Sequence, residues 1–276
     1  MSTANISAKD VMALRQKTGL GMMDCKKALV ESGGDMAAAE AALRAKLKGK
    51  MDERTDRAAG EGRISIQTSG NGAAIIEVRA ETDFTARNDS FIEMADKAAL
   101  DAIDQASGSE ATKVEFTDEM KASLDDVRIT TGENISFAQG IAFKGDSFGK
   151  YIHHDGKLGV LVQFEGAVPE ELATGICQHV AAHVPTPLAV DEHGLPKDIV
   201  DAKRAEATKE AMDLGKPEEI AAKIAEGKMR KFLEDNTLLG QKYVKMEKET
   251  VAEMLPEGVK ILHFVRMRVG ADATEE

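Results

Sequence analysis

Two histidines four residues apart, in His179-Val180-Ala181-Ala182-His183, with Cys177 two residues upstream, are the side chains whose spacing could do chemistry. At i and i+4 on a helix the imidazoles share a face and could hold zinc, or one of them could activate the thiol as a nucleophile. The middle glutamate of H-E-x-x-H is absent, so the pair reads better as structural or surface histidines. No P-loop, no G-x-G-x-x-G after a strand and no Ser/His/Asp order occurs, and the scattered acidic pairs suit a solvated helix face. The expectation is no catalytic residues, no metal and no cofactor, hence no enzyme in the bond-breaking sense. A hydrolase using Cys177 with His179 or His183 is the competing reading.

Two other groups are suited to binding rather than catalysis. Met22 and Met23 follow Gly19-Leu20-Gly21 at a turn between two helical patterns. They read either as core fillers or, because two adjacent residues at a turn cannot easily both point inward, as flexible thioether contacts for a partner. Asp83-Phe84 follows a strand ending near Ala80 and precedes a helix opening at Ser90, which places the pair in a connection at a sheet edge. Phe84 either folds back as a core aromatic or projects.

The chain of 276 residues is long enough for more than one compact domain without disulfide staples. Cys25 and Cys177 lack C-x-x-C spacing and read as reduced thiols. Met1-Ser2-Thr3-Ala4-Asn5 has no basic region leading into an apolar one, and no apolar run approaches the roughly 18 residues that span a bilayer, so a cytosolic (cytoplasmic) protein without membrane contact is expected. A net charge of -12 argues against direct nucleic-acid binding. Residues 1–56 carry ten Lys/Arg against eight Asp/Glu, or +2, leaving 26 against 40, or -14, for the remainder. A mildly basic head suits an acidic protein surface, although ordinary solvated charge accounts for it equally well.

The elements that must position these residues form an α+β chain. Ser7 to Asp10 reads as a capping box opening a helix with Val11, Leu14 and Thr18 inward and Gly19 as its end. A second helix from about Met23 to Glu31 turns Cys25, Ala28 and Leu29 inward, Gly33-Gly34 breaks it, and Asp35 caps a third with Ala38, Ala39, Ala42 and Leu43 inward. Leu47 to Gly62 reads as a linker. A hairpin (Ile64–Gln67, turn Ser69–Gly72, Ala74–Val78) and a helix capped at Ser90 follow, then a helix over Phe116–Val127 and a strand over Ile135–Phe143. Hairpin and helix recur at Lys150–His153, Asp155-Gly156, Gly159–Phe164 and the helix from Pro169, which suggests either a weak internal duplication or chance recurrence of a common motif.

From Lys197 to Glu234 the pattern is helical except at Gly215-Lys216-Pro217, a helical hairpin that zips Val200, Ala207, Ala211 and Leu214 against Ile220 and Ile224 as a thin antiparallel coiled coil. Tyr243–Met246 and Val259–Val269 read as strands flanking a short helix near Thr250–Leu255. The expected boundaries are a three-helix bundle over 1–55, a first core subdomain over 56–138, a second over 139–190 and 237–276, and the inserted hairpin over 191–236.

The run Leu14 to Leu29 resembles the N-terminal signature of bacterial elongation factor Ts, the nucleotide exchange factor for the GTPase elongation factor Tu. Glu81-Thr82-Asp83-Phe84-Thr85-Ala86 resembles that family's second signature, in the expected order, with weaker likeness at Tyr151–Val162 and Phe264-Val265-Arg266. The resemblance implies an N-terminal bundle like ubiquitin-associated domains, two sheet-plus-helix subdomains and a coiled-coil insertion. It implies that Thr82, Asp83, Phe84 and Thr85 enter the GTPase near its nucleotide-bound Mg2+, and that Arg15, Met22, Met23, Lys26 and His153 contact the GTPase. Thr85 stands where Val is frequent and His154 where Gly is usual. Some members carry a further C-terminal helical module that the run Gly270 to Glu276 is not expected to supply. The expected function is promotion of Mg2+ and GDP release from elongation factor Tu, with a homodimer through the hairpin or a heterotetramer with the GTPase as higher assemblies. The rival reading is a passive adaptor with a ubiquitin-associated-like head.

Overall fold

The computed structural model describes residues 6–215, 217–246, 248–271 and, for the backbone, 274–275. Lys216, within the expected hairpin turn, and the outermost residues at both ends lie outside the described residues. Among those described, the chain has ten helices and two antiparallel sheets, a mixed α+β fold. No described helix is long and apolar enough to cross a membrane.

Three helices come first: α1 (Ala8–Thr18), α2 (Met22–Glu31) and α3 (Met36–Asp52). Ser7 and Asp10 exchange backbone and side-chain hydrogen bonds as a capping box. Gly19 closes α1 at φ 70°, a left-handed conformation that costs glycine nothing, and its N–H donates to the Arg15 carbonyl at 2.8 Å. Val11, Leu14, Leu20, Cys25, Ala28, Leu29, Ala39, Leu43 and Met51 form the bundle's core. Two expectations are corrected here. Ala38 and Ala42 are exposed, because the face of α3 turned to its partners repeats as Ala39, Leu43 and Leu47. The helix also runs on through the expected linker to Asp52, because Met51 is buried.

β1 (Glu61–Ser69) and β2 (Gly72–Ala80) form the first hairpin, followed by the single turn α4 (Asp83–Ala86) and by α5 (Asp89–Ile103). Asn88, not Ser90, serves the start of α5: its Oδ1 accepts from the Ser90 N–H at 2.9 Å. A two-residue strand β3 (Thr112–Lys113), α6 (Asp118–Thr131) and β4 (Ile135–Lys144) complete a sheet of order β1-β2-β4-β3. β5 (Ser147–Ile152), β6 (Leu158–Glu165), α7 (Glu170–Ala182), α8 (Lys197–Asp213), α9 (Glu218–Asn236), α10 (Val251–Met254), β7 (Lys260–Arg268) and β8 (Thr274–Glu275) follow, the second sheet having the order β5-β6-β7-β8.

The contacts divide the chain into two compact units. The first, Met1–Arg63, Val78–Ala98 and Phe116–Ala138, holds the bundle, α4 and α6. Within it Arg44 pairs with Asp126 and Lys48 with Asp125 at 2.6 Å, joining α3 to α6, while Arg128 pairs with Asp125 within α6 at 3.1 Å.

In the second unit, Ile64–Glu77, Ala99–Glu115 and Gln139–Glu276, β6 is covered on both faces, which is why it reads as a continuous apolar run. Val160, Val162 and Phe164 pack with Ile176, Cys177 and Val180 of α7, while Leu161 packs with Ile64, Ile75, Phe143, Val265 and Met267. Helices α8 and α9 meet along Ala207, Ala211, Ala221, Ala225 and Met229, with Val200, Ile224 and Phe232 partly buried. Leu214 and Ile220, expected in that seam, are exposed: they flank the hairpin turn, beyond the last interhelical layer. Tyr243–Met246 is a turn rather than a strand, since its backbone closes locally, with the Met246 N–H donating to the Tyr243 carbonyl at 2.8 Å.

Candidate functional site

The turn after β2 presents the most exposed aromatic ring. Thr82 caps α4, its hydroxyl accepting from the Thr85 N–H at 3.3 Å, and Asp83 pairs with Arg87 at 3.2 Å. Phe84 is 83% exposed whereas Thr85 and Ala86 are buried. The ring therefore does not fold back into the core. It is carried outward on a turn whose neighbouring residues are anchored. Because β2 has strands on both sides, the turn leaves the end of an interior strand and not a sheet edge.

That anchoring comes from the segment after α6. The Glu133 carboxylate accepts from the Thr82 N–H at 3.1 Å and from the Thr82 hydroxyl at 2.6 Å. In the reverse direction the Glu81 carboxylate accepts from the Asn134 N–H at 2.7 Å, and the Asn134 amide donates to the Thr55 and Arg57 carbonyls at 3.0 and 2.7 Å. Sequence reasoning missed Glu133 and Asn134. Their partners lie more than fifty positions away, and the local signal at Gly132-Glu133-Asn134 is only that of a helix end.

A second exposed apolar group belongs to the bundle. Met22 and Met23 occupy the first turn of α2, with 50% and 76% of their surface open. Both point outward because Leu20 and Cys25 fill the interior on either side of them. Lys26 stands four residues from Met22 and three from Met23, so the three side chains share one face of α2. Arg15 on α1 and Lys26 are exposed cations. Two thioethers beside an ammonium form a surface suited to an apolar patch with an acidic rim.

His153 lies in the other unit, just past β5. Its Nδ1 is 2.9 Å from the Tyr151 hydroxyl, which fixes the ring. His154, exposed, packs its ring 4.3 Å from that of His153. The Lys157 N–H donating at 2.9 Å, with the His153 and His154 rings near, holds the Asp155 carboxyl below the usual range.

Cys177 and His179 lack the properties of a nucleophile and its base. The His179 Nδ1 accepts from the Val244 N–H at 3.1 Å, so Nε2 carries the proton and donates to Gln241 Oε1 at 3.0 Å. Burial lowers the imidazole to about 4, and burial raises the Cys177 thiol far above its ordinary value. A thiol that stays protonated is a packing group, and a histidine with both nitrogens engaged is a structural tie.

The family model described as elongation factor TS matches residues 81–271, more than half of the chain. The matched span includes Thr82, Asp83, Phe84, Thr85, Glu133 and His153, and it begins after the bundle that carries Arg15, Met22, Met23 and Lys26.

Proposed function

This chain belongs to the elongation factor Ts family, and from that premise we propose that it is a cytoplasmic guanine-nucleotide exchange factor for elongation factor Tu. Its role in translation elongation is to bind the GDP-loaded GTPase and promote loss of Mg2+ and GDP so that GTP can load. The observation that carries the reading is the exposure of Phe84 on an anchored turn.

An aromatic ring left in water gains about 1.5–3 kcal/mol when it enters an apolar crevice. That gain can hold a partner's helices in a displaced arrangement. A nucleotide-bound Mg2+ keeps several waters and few protein ligands, so displacing the groups behind those ligands loosens it, and the phosphates then lose much of their counter-charge. In this reading Thr82, Asp83, Phe84 and Thr85 disturb the Mg2+ side of the pocket. Arg15, Met22, Met23 and Lys26 dock the bundle, and His153 makes a separate contact. None of these steps breaks a covalent bond in the nucleotide.

Linkage gives the factor no choice of direction: a factor that weakens nucleotide binding by some ratio is itself weakened by nucleotide in the same ratio, so either nucleotide can resolve the complex. The α8–α9 hairpin is the proposed coiled-coil arm for a second copy or for a heterotetramer with the GTPase.

The test is release of a fluorescent GDP from the GTPase in a stopped-flow instrument. Phe84→Ala is expected to slow the stimulated release roughly tenfold or more while the protein stays folded. An unchanged rate would remove Phe84 from the mechanism.

A further inference from the structure

We propose that Glu133 is the positioning residue for Phe84, fixing through Thr82 the direction in which the ring is presented to the GTPase; this rests on the exchange reading above. Helix α4 has only four residues, too few to hold its own shape, since a lone helical turn is unfavourable without outside support. Its conformation depends on the cap. Thr82 caps it, and both donors of Thr82 end on one ionic acceptor: the N–H on Glu133 Oε2 at 3.1 Å and the hydroxyl on Oε1 at 2.6 Å. With its hydrogen committed to Glu133, the hydroxyl oxygen turns a lone pair to the Thr85 N–H at 3.3 Å. Removing the carboxylate frees that hydroxyl to rotate and loosens the turn at its start.

The carboxylate is itself well placed. It follows Gly132, the left-handed cap of α6, and precedes Asn134, whose amide holds the Thr55 and Arg57 carbonyls. Glu81 and Glu133 thus each accept from the other segment's backbone, Asn134 N–H in one direction and Thr82 N–H in the other. A charged acceptor with two bonds to one residue gives direction as well as strength. Phe84, two residues on and 83% exposed, gains little orientation from packing of its own. Its direction is inherited from Thr82.

The experiment measures stimulated release of fluorescent GDP against factor concentration for Glu133→Ala, Phe84→Ala and the double variant. Glu133→Ala is expected to slow release at saturating factor about tenfold, with the half-saturating concentration held within about twofold, because the bundle contacts remain. In the Phe84→Ala background the same change is expected to add nothing, since the ring it orients is gone. Equal slowing in both backgrounds would make Glu133 a fold residue and overturn the proposal, as would a normal rate for Glu133→Ala alone. A normal rate for Phe84→Ala sinks the exchange reading and this proposal together, whereas slow Phe84→Ala with unaffected Glu133→Ala sinks only this one. Should Glu133→Ala fail to fold, Glu133→Gln takes its place: the amide keeps the size of the side chain but offers one acceptor where the carboxylate offers two, and it is expected to slow saturating release only while Phe84 is present. A wild-type rate for Glu133→Gln, or equal slowing with and without Phe84, would refute the role.

Discussion

Arg54 and Arg128 reach past one another so that each closes the helix that carries or precedes the other. Arg128, on α6, donates to the Met51 carbonyl at the end of α3 at 2.8 Å. Arg54, just after α3, donates to the Gly132 carbonyl at the end of α6 at 2.7 Å. The last carbonyls of a helix have no partner within it, and here each set is served by a guanidinium from outside. The bundle is thereby tied to the segment that anchors the Phe84 turn.

Arg128→Ala is expected to destabilise the bundle by about 3 kcal/mol, because Arg128 is buried and its removal leaves the buried Asp125 with one fewer cation and takes one of the donors from the Met51 carbonyl. Limited proteolysis is expected to cut faster between residues 53 and 60. Cleavage at the wild-type rate would show that the apolar core alone holds the bundle in place.

Met22→Ala combined with Met23→Ala is expected to weaken binding to the GTPase by roughly 2–3 kcal/mol, about 30- to 150-fold in Kd, by removing two thioethers from the docking face. Thermal unfolding should shift little, since neither side chain contributes to the core. Calorimetry giving wild-type affinity would take both residues out of the interface.

The buried histidine predicts an acid-labile second unit. His179 is lowered to about 4 by burial, against 6.5 for the free side chain. Between those values the unfolded chain binds the proton that the folded chain refuses, so stability is full above about pH 6.5 and falls by about 1.4 kcal/mol per unit as the pH drops toward 4. Denaturant unfolding at pH 7 and pH 5 measures the loss. His179→Gln, which does not titrate, should be less stable at pH 7 but show a smaller difference between the two pH values, and an undiminished difference would assign the acid sensitivity to other groups.

What could be read from the sequence were the features whose partners lie within a few residues. The Ser7–Asp10 box, the Asp35 cap, the Gly19 stop and both hairpins are local, and their hydrogen bonds close over short spans. Ala38 and Ala42 were misplaced because alanine carries too little apolar signal to tell which face of α3 is covered. Tyr243–Met246 has the composition of a strand, yet its backbone is engaged elsewhere: Tyr243 N–H donates to the Glu249 carbonyl and Val244 N–H to His179.

The candidate site divides in the same way. Asp83-Phe84 and Met22-Met23 stood out as residue types in suggestive places, but periodicity could not decide whether either pointed inward. Glu133 carried no signal at all, because a carboxylate after a helix end looks the same whether it meets solvent or a threonine 51 positions away.

Of the five buried residues described in the seam of α8 and α9, only Met229 is larger and four are alanine. Side chains that small let two backbones run close together but bury little area, so the pair has scant cohesion beyond its own helical bonding and ion pairs such as Lys228 with Glu210. Such an arm can fray from its tip while the sheets below it stay folded. A partner that closed over its tip would therefore spend part of its binding energy on suppressing that fraying.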